Sequence, residues 1–178
     1  MDNLKIYNAT RSVPEAAKKS IGGGRLKGMT DINPMWRIKT LTEQFGPCGF
    51  GWYYKVLDSR TIESPETKEI SAFVDIELYV KIDNEWSMPI YGSGGSAFVA
   101  KESAGLKMSD ECFKMATTDA LSVACKQLGI GADVYFEKDK TKYTTVENNA
   151  NTQSNTPVNT NTPTPPQKSN TGQNDAVS

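Results

Sequence analysis

The sequence predicts an α+β fold, with an antiparallel β-β-β-α core, a helix N-terminal to it and a disordered C-terminal tail. Residues 71–83 alternate between apolar and polar side chains, which is typical of a half-buried strand. Residues 110–128 carry alanines four positions apart, which is typical of a helix lying close to a sheet. From Asn148 onward the chain holds no Leu, Ile, Met or aromatic residue, so it cannot bury enough apolar surface to fold.

The helix before the sheet is predicted over residues 35–46, because the dipeptide Gly-Pro follows at its end. The first strand is predicted at Phe50–Leu57. The side chains of this strand expected in the core are Trp52, Tyr54 and Val56. Tyr53 and Lys55 then fall on the exposed face.

The second strand has the clearest alternation, and its core-facing residues are Val74, Ile76, Leu78, Val80 and Ile82. The third strand is predicted at Glu85–Tyr91, with the glycine-rich segment Gly92–Ala97 as a flexible connection to the helix. The helix itself is predicted over Asp110–Leu128, with Ser109 as its N-cap and Gly129 as its C-terminal stop.

The net charge of −1 over 178 residues hides an uneven distribution. Residues 1–60 hold ten Lys or Arg against five Asp or Glu, a balance of +5, while residues 61–110 hold four against nine, a balance of −5. A basic face can therefore exist on a protein that is nearly neutral overall.

The residue types exclude several functional classes. The chain has no histidine, which argues against histidine-dependent hydrolases and the usual zinc sites. Its three cysteines, Cys48, Cys112 and Cys125, are far apart and odd in number, so we expect free thiols and a cytoplasmic location. No stretch approaches the roughly 18 apolar residues of a membrane span, so no membrane partner is expected.

The chain is expected to divide into one domain, residues 1–147, and an Asn/Thr/Pro-rich tail, residues 148–178. The tail is interpreted as a solubilising segment. The alternative is a docking segment for a single-strand binding protein or an exonuclease.

Two glycine-rich segments raise the alternative of a nucleotide-dependent enzyme. Gly23 and Gly28 have the spacing of a phosphate loop, but Met29 stands where that loop needs its lysine. Gly92–Ala97 matches a dinucleotide-binding pattern, but the surrounding chain shows no βαβ alternation. Neither segment favours nucleotide binding.

Nucleic-acid binding is suggested by Tyr53 and Lys55, because an exposed ring beside a cation can stack on a base and neutralise a phosphate. Further cations lie upstream of this pair, at Arg25, Lys27, Arg37 and Lys39.

Four motifs in series carry a family resemblance: "GGGR" at 22–25, "RIKTLTEQFGPCGFGW" at 37–52, "YGSGGSAFVAK" at 91–101 and "KMATTDALSVACKQLGIG" at 114–131. In their order and spacing they resemble the phage and eukaryotic single-strand annealing proteins of the Rad fifty-two type, especially the small phage members often called Sak proteins. The resemblance covers roughly residues 20–136.

The resemblance implies a β-β-β-α domain that assembles into rings or helical arcs, with single-stranded DNA in a basic groove and its bases facing outward. It implies no catalytic residue, cofactor or metal. The family's DNA-binding cations fall at Arg37, Lys81, Lys101 and Lys114. The chain departs from the family where two adjacent basic residues are usual, since it has Ser122 and Val123 there; Lys126, one turn further, is expected to substitute for them.

The predicted function is therefore ATP-independent annealing of complementary DNA strands in homologous recombination and repair, by a homo-oligomer that is not an enzyme. The alternative within the same class is a single-stranded DNA-binding protein that does not anneal.

Overall fold

The computed structural model describes residues 2–23 and 27–138, the last two of these by their backbone alone. The predictions for Arg25, for the boundary after residue 147 and for the tail at 148–178 lie outside these residues. The helices of the described chain are α1 (Lys5–Thr10), α2 (Pro34–Phe45), α3 (Cys112–Gln127) and α4 (Ala132–Lys138), with a 3-10 turn at Glu15–Ala17. The strands are β1 (Lys18–Ser20), β2 (Thr30–Ile32), β3 (Trp52–Glu63), β4 (Ile70–Ile82), β5 (Glu85–Trp86), β6 (Ile90–Glu102) and β7 (Gly105–Met108).

These elements form an α+β fold, as the sequence predicts. The main sheet is antiparallel, with strand order β3-β4-β6-β7, and β5 pairs with the end of β4. β1 and β2 form a separate antiparallel hairpin. Three long strands, β3, β4 and β6, thus precede α3 and make up the predicted β-β-β-α core.

The core lies between α3 and the central strand β4. The fully buried side chains of β4 are Ala72, Val74, Ile76, Leu78 and Val80, which confirms the predicted alternation, and Ile82 at the strand end is half-buried. From α3, the alanine stripe packs against them: Ala116, Ala120 and Ala124 are all buried. Methyl groups this small let the helix backbone approach the sheet closely.

The prediction for the third strand was wrong. Residues 85–86 form only the short β5, and the long strand β6 runs straight through the segment expected to be a flexible connection. A Cβ at Gly92 would overlap the Ala120 carbonyl, and a Cβ at Gly94 would overlap the Ala116 carbonyl. The glycines are therefore strand residues that make room for the backbone of α3.

The first strand is confirmed from Trp52 onward and runs on to Glu63, and the predicted faces are confirmed for Trp52, which is 2% exposed, and for the exposed Lys55. Tyr54 and Val56 were expected in the core, and they are 38% and 51% exposed. Both point to the helix side of the sheet, since they pair with Leu78 and Ile76. β3 is an edge strand, however, and α3 packs mainly on β4 and β6, so these two side chains are only partly covered.

The helix ends agree with the sequence in most places. Asn33 caps α2 by accepting a hydrogen bond from the Met35 amide, and Gly46 ends it. Gly129, with φ of 85°, follows the end of α3 as predicted. α3 begins two residues later than expected, with Glu111 instead of Ser109 at the N-cap position. The Ser109 amide donates to the Phe98 carbonyl of β6.

Candidate nucleic-acid interface

The predicted DNA-binding residues within the described chain fall into three groups. The first lines a cleft between α2 and α3 and consists of Arg37, Lys114 and Lys126. The second lies on the sheet face opposite α3 and consists of Tyr53, Lys55 and Lys81. The third is separate from both and consists of the exposed residues Lys27, Lys39 and Lys101.

Arg37 lies in the first turn of α2, and the residue is only 5% exposed. Its Nη1 donates a 3.0 Å hydrogen bond to the Ile32 carbonyl, and its Nη2 donates a 2.8 Å bond to the Tyr135 hydroxyl. Its Nε is buried and has no hydrogen-bond partner among the described residues. Burying a charged group with an unused donor is costly unless an anion compensates it.

No carboxylate forms an ion pair with Arg37 in the part of the chain that the structure describes. Arg37 also lies near the N-terminus of α2, where the helix dipole adds partial positive charge, although Pro34 has no amide hydrogen and the Met35 amide is bonded to Asn33. The buried end of the cleft is therefore a region of uncompensated positive charge.

α3 supplies one wall of the cleft through a stripe of residues four positions apart: Lys114, Thr118, Ser122 and Lys126. This stripe differs from the alanine stripe that packs on the sheet. The twelve positions from Lys114 to Lys126 span about 18 Å of helix axis. The two lysines therefore lie well apart along one wall of a cleft of about 420 Å³.

Tyr135 on α4 closes the cleft beside Arg37. Its ring lies under the Lys126 ammonium, with Nζ 4.2 Å from the ring centroid, so one residue contacts two of the three cations. α4 is held in turn by Asp133, whose carboxylate accepts hydrogen bonds of 2.6 Å from Arg11 and from Ser12. These two hydrogen bonds hold the pKa of Asp133 below its usual range.

Two carboxylates also line the cleft, Asp31 and Asp119. The Asp119 carboxylate accepts a 3.1 Å hydrogen bond from the Gly95 amide and so is partly satisfied by the sheet. Lys114 forms an exposed ion pair with Glu111. Among the lining residues three cations stand against two carboxylates, and Glu111 offsets Lys114, so Arg37 and Lys126 are the cleft cations without an ion pair in the described chain. Next to Arg37, burial raises the pKa of the Cys125 thiol to about 12, so this cysteine is neutral.

The second group forms an aromatic cluster on the opposite sheet face, in which Tyr53 stacks on Tyr79 at 4.9 Å and meets the edge of Trp86 at 4.8 Å. Lys55 lies 5.0 Å from the Tyr79 ring, and Lys81 lies 5.5 Å from the Trp86 ring. Tyr53 is half-buried, so the expectation that it is exposed was wrong: cross-strand stacking covers the ring that was expected to receive a base.

A hydrogen bond from the Tyr79 hydroxyl to Glu77 also raises the pKa of Tyr79 to about 12. The rings of this cluster therefore already have aromatic, cation and hydrogen-bond partners within the protein.

The third group is dispersed. Lys39 forms an i,i+4 ion pair with Glu43, and the Lys101 backbone amide donates to the Glu69 carboxylate near the end of β6. Lys27 lies in the turn between β1 and β2. The sequence therefore identified cations without showing which of them converge.

Two site residues were missed by sequence reasoning. Tyr135 lies beyond the last motif recognised in the sequence. It is followed directly by Phe136, which is 84% exposed, and no pattern in the sequence shows which of the two rings faces the protein. Tyr54 was assigned to the core because it alternates with Trp52, and only the packing of α2 and α3 shows that it lines a smaller groove beside the cleft.

A scan against protein-family models and a search of curated proteins both gave no match for this chain. Over residues 2–23 and 27–138, no helix is both long enough and apolar enough to cross a membrane.

Proposed function

We propose that the protein binds single-stranded DNA and anneals complementary strands without ATP, as a homo-oligomer acting in homologous recombination and repair. The observation that supports this best is the convergence of Arg37, Lys114 and Lys126 on one cleft, with Arg37 at its buried base and without an ion-pair partner in the described chain. A phosphate oxygen is the acceptor that an arginine of this kind binds most strongly.

In this mechanism the cleft acts by position alone. Arg37 holds one phosphate, and Lys114 and Lys126 hold others along the same backbone. Contacts to phosphate carry no sequence information and leave base edges free to pair with a second strand. No bond is made or broken, so no catalytic residue, cofactor or metal is required.

A homo-oligomer suits this mechanism because a single cleft binds only a few nucleotides. The edge strand β3 exposes an unpaired row of backbone groups together with Val56, Leu57 and Ile62, each more than half exposed. Such edges are suited to pairing with another chain. The proposal also includes a cytoplasmic location, consistent with Cys48, Cys112 and Cys125 as free thiols; for a phage-encoded protein this is the cytoplasm of the bacterial host.

The test is a salt titration of binding to a labelled single-stranded oligonucleotide. Each phosphate contact contributes about −0.7 to the slope of log K against log salt. Lys114→Ala and Lys126→Ala should each weaken binding and reduce the magnitude of the slope by about that amount, without changing sequence preference.

The matched control is Lys107→Ala, since Lys107 is an exposed, ion-paired lysine on β7 and does not line the cleft. Its slope should equal that of the wild-type protein. Absence of binding by the wild-type protein, or equal slopes for all three variants, would rule out the cleft as the DNA site.

A further inference from the structure

A second, apolar groove adjoins the cationic cleft. It has a volume of about 190 Å³ and its apolar walls come from three elements: Met35 and Ile38 on α2, Leu121 on α3 and Tyr54 on β3. Pro34, Arg37, Thr118 and Ser122 line both cavities, so the groove and the cleft lie side by side.

The groove walls are partly exposed although they are mostly apolar. Met35 is 66% exposed and Tyr54 is 38% exposed, so both are accessible from solvent. Arg37 is the one charged residue among the walls of the groove. Apolar walls offer a phosphate no favourable contact, whereas they can pack against the flat, largely apolar face of a base.

We infer that this groove binds one nucleobase of the DNA strand, turned inward from the nucleotide whose phosphate is held at Arg37. The inference rests on the proposed function, because the phosphate site fixes which nucleotide reaches the groove. A nucleotide carries a charged and an apolar part joined by one sugar, which matches a cationic cavity and an apolar cavity that share Arg37 as a wall.

The inward base gives each protomer a fixed register on the strand. The phosphate contacts at Lys114 and Lys126 would allow the strand to slide, because they are identical at every nucleotide. One captured base in each protomer stops that sliding, while the remaining bases stay available for pairing. Tyr54 provides the ring surface for stacking, and Met35 and Leu121 enclose the opposite side.

The test compares the affinity of the full-length protein for an oligothymidine strand and for an abasic strand of the same length. The wild-type protein should prefer oligothymidine by about tenfold, which is the size of a single base-stacking contact. In Tyr54→Ala this preference should fall to nearly one, while the salt slope stays at the wild-type value. Tyr91→Ala is the matched control, since Tyr91 is an exposed tyrosine on the opposite face of the sheet.

Met35→Ala repeats the test at a residue that is more exposed than Tyr54, in case Tyr54→Ala does not fold. An unchanged preference for oligothymidine in these variants overturns the inference, and it leaves the proposed function intact if Lys126→Ala still reduces the salt slope. A change in oligomer size without a change in base preference would assign the groove to a second copy of the chain and also overturn it. If the wild-type protein binds neither strand, both proposals fail.

Discussion

Arg37 Nη2 donates a 2.8 Å hydrogen bond to the Tyr135 hydroxyl, which ties the first turn of α2 to α4 across 98 residues of sequence. The same ring lies under the Lys126 ammonium. Tyr135 therefore holds the two cations in one arrangement before any ligand binds.

Tyr135→Phe keeps the ring and removes the acceptor, so Arg37 loses one of its two side-chain hydrogen bonds while its Nε already lacks a partner. We expect the free energy of unfolding to fall by about 1–3 kcal/mol. Because a phosphate can accept from the released donor, a saturating oligonucleotide should raise the melting temperature of this variant more than that of the wild-type protein. Phe136→Leu, at an exposed ring on the same helix, is the control. Equal stabilisation by the oligonucleotide would show that the donor does not face the ligand.

Trp52 and Tyr53 lie on opposite faces of β3, and their substitutions should differ in cost. Trp52 is buried and donates a 3.3 Å hydrogen bond to Thr42, so Trp52→Ala should lower the free energy of unfolding by about 3–5 kcal/mol. Tyr53 is half-buried in the outer aromatic cluster, and Tyr53→Ala should cost clearly less. Denaturant unfolding measures both, and an equal or reversed order would contradict the assigned strand faces.

Gly94→Ala should be among the most damaging small substitutions in the protein. Its Cβ would overlap the Ala116 carbonyl and the Ala120 amide, neither of which can move without shifting α3. We expect a loss of about 3 kcal/mol or more. Gly22→Ala is the matched control, since no described atom lies within 4 Å of the added Cβ. If the two variants melt at the same temperature, α3 does not lie as close to β6 as described.

The contact of Asp133 with Arg11 and Ser12 should make the position of α4 sensitive to acid. The pKa of Asp133 is lower in the folded protein, so its contribution to stability is complete above the unfolded pKa of about 3.9 and is lost as the pH falls through the lowered folded value. Asp133→Asn should destabilise the protein at neutral pH and flatten the loss of stability below about pH 4. If the variant loses stability at low pH as steeply as the wild-type protein, the acid sensitivity belongs to other carboxylates.

Sequence reasoning succeeded where the spacing of apolar side chains indicates which of them are buried. The alternation in β4 and the alanine stripe in α3 predicted the sheet and the helix that covers it. Sequence reasoning failed at Gly92 and Gly94, because residues without side chains show no alternation of apolar and polar positions. Glycine is needed at these two positions because the backbone of α3, more than twenty residues further along the chain, lies against them.

The exposure of Tyr54 could not be read from the sequence, because it depends on which strands α3 covers and not on the pattern of β3. The same holds for the cleft. The sequence supplied Arg37, Lys114 and Lys126 as cations, but their convergence depends on the packing of α2 against α3 and on Tyr135 from α4.

The most direct test of the central claim is the rate at which the wild-type protein joins two complementary single strands in the absence of ATP, measured with a fluorescent pair on the two strands. The account predicts annealing faster than the spontaneous rate, and a return towards that rate in a Lys114→Ala/Lys126→Ala double variant that keeps the wild-type melting temperature. Strands that are bound and protected but anneal no faster than they do alone would contradict it and assign the protein to single-strand binding without annealing.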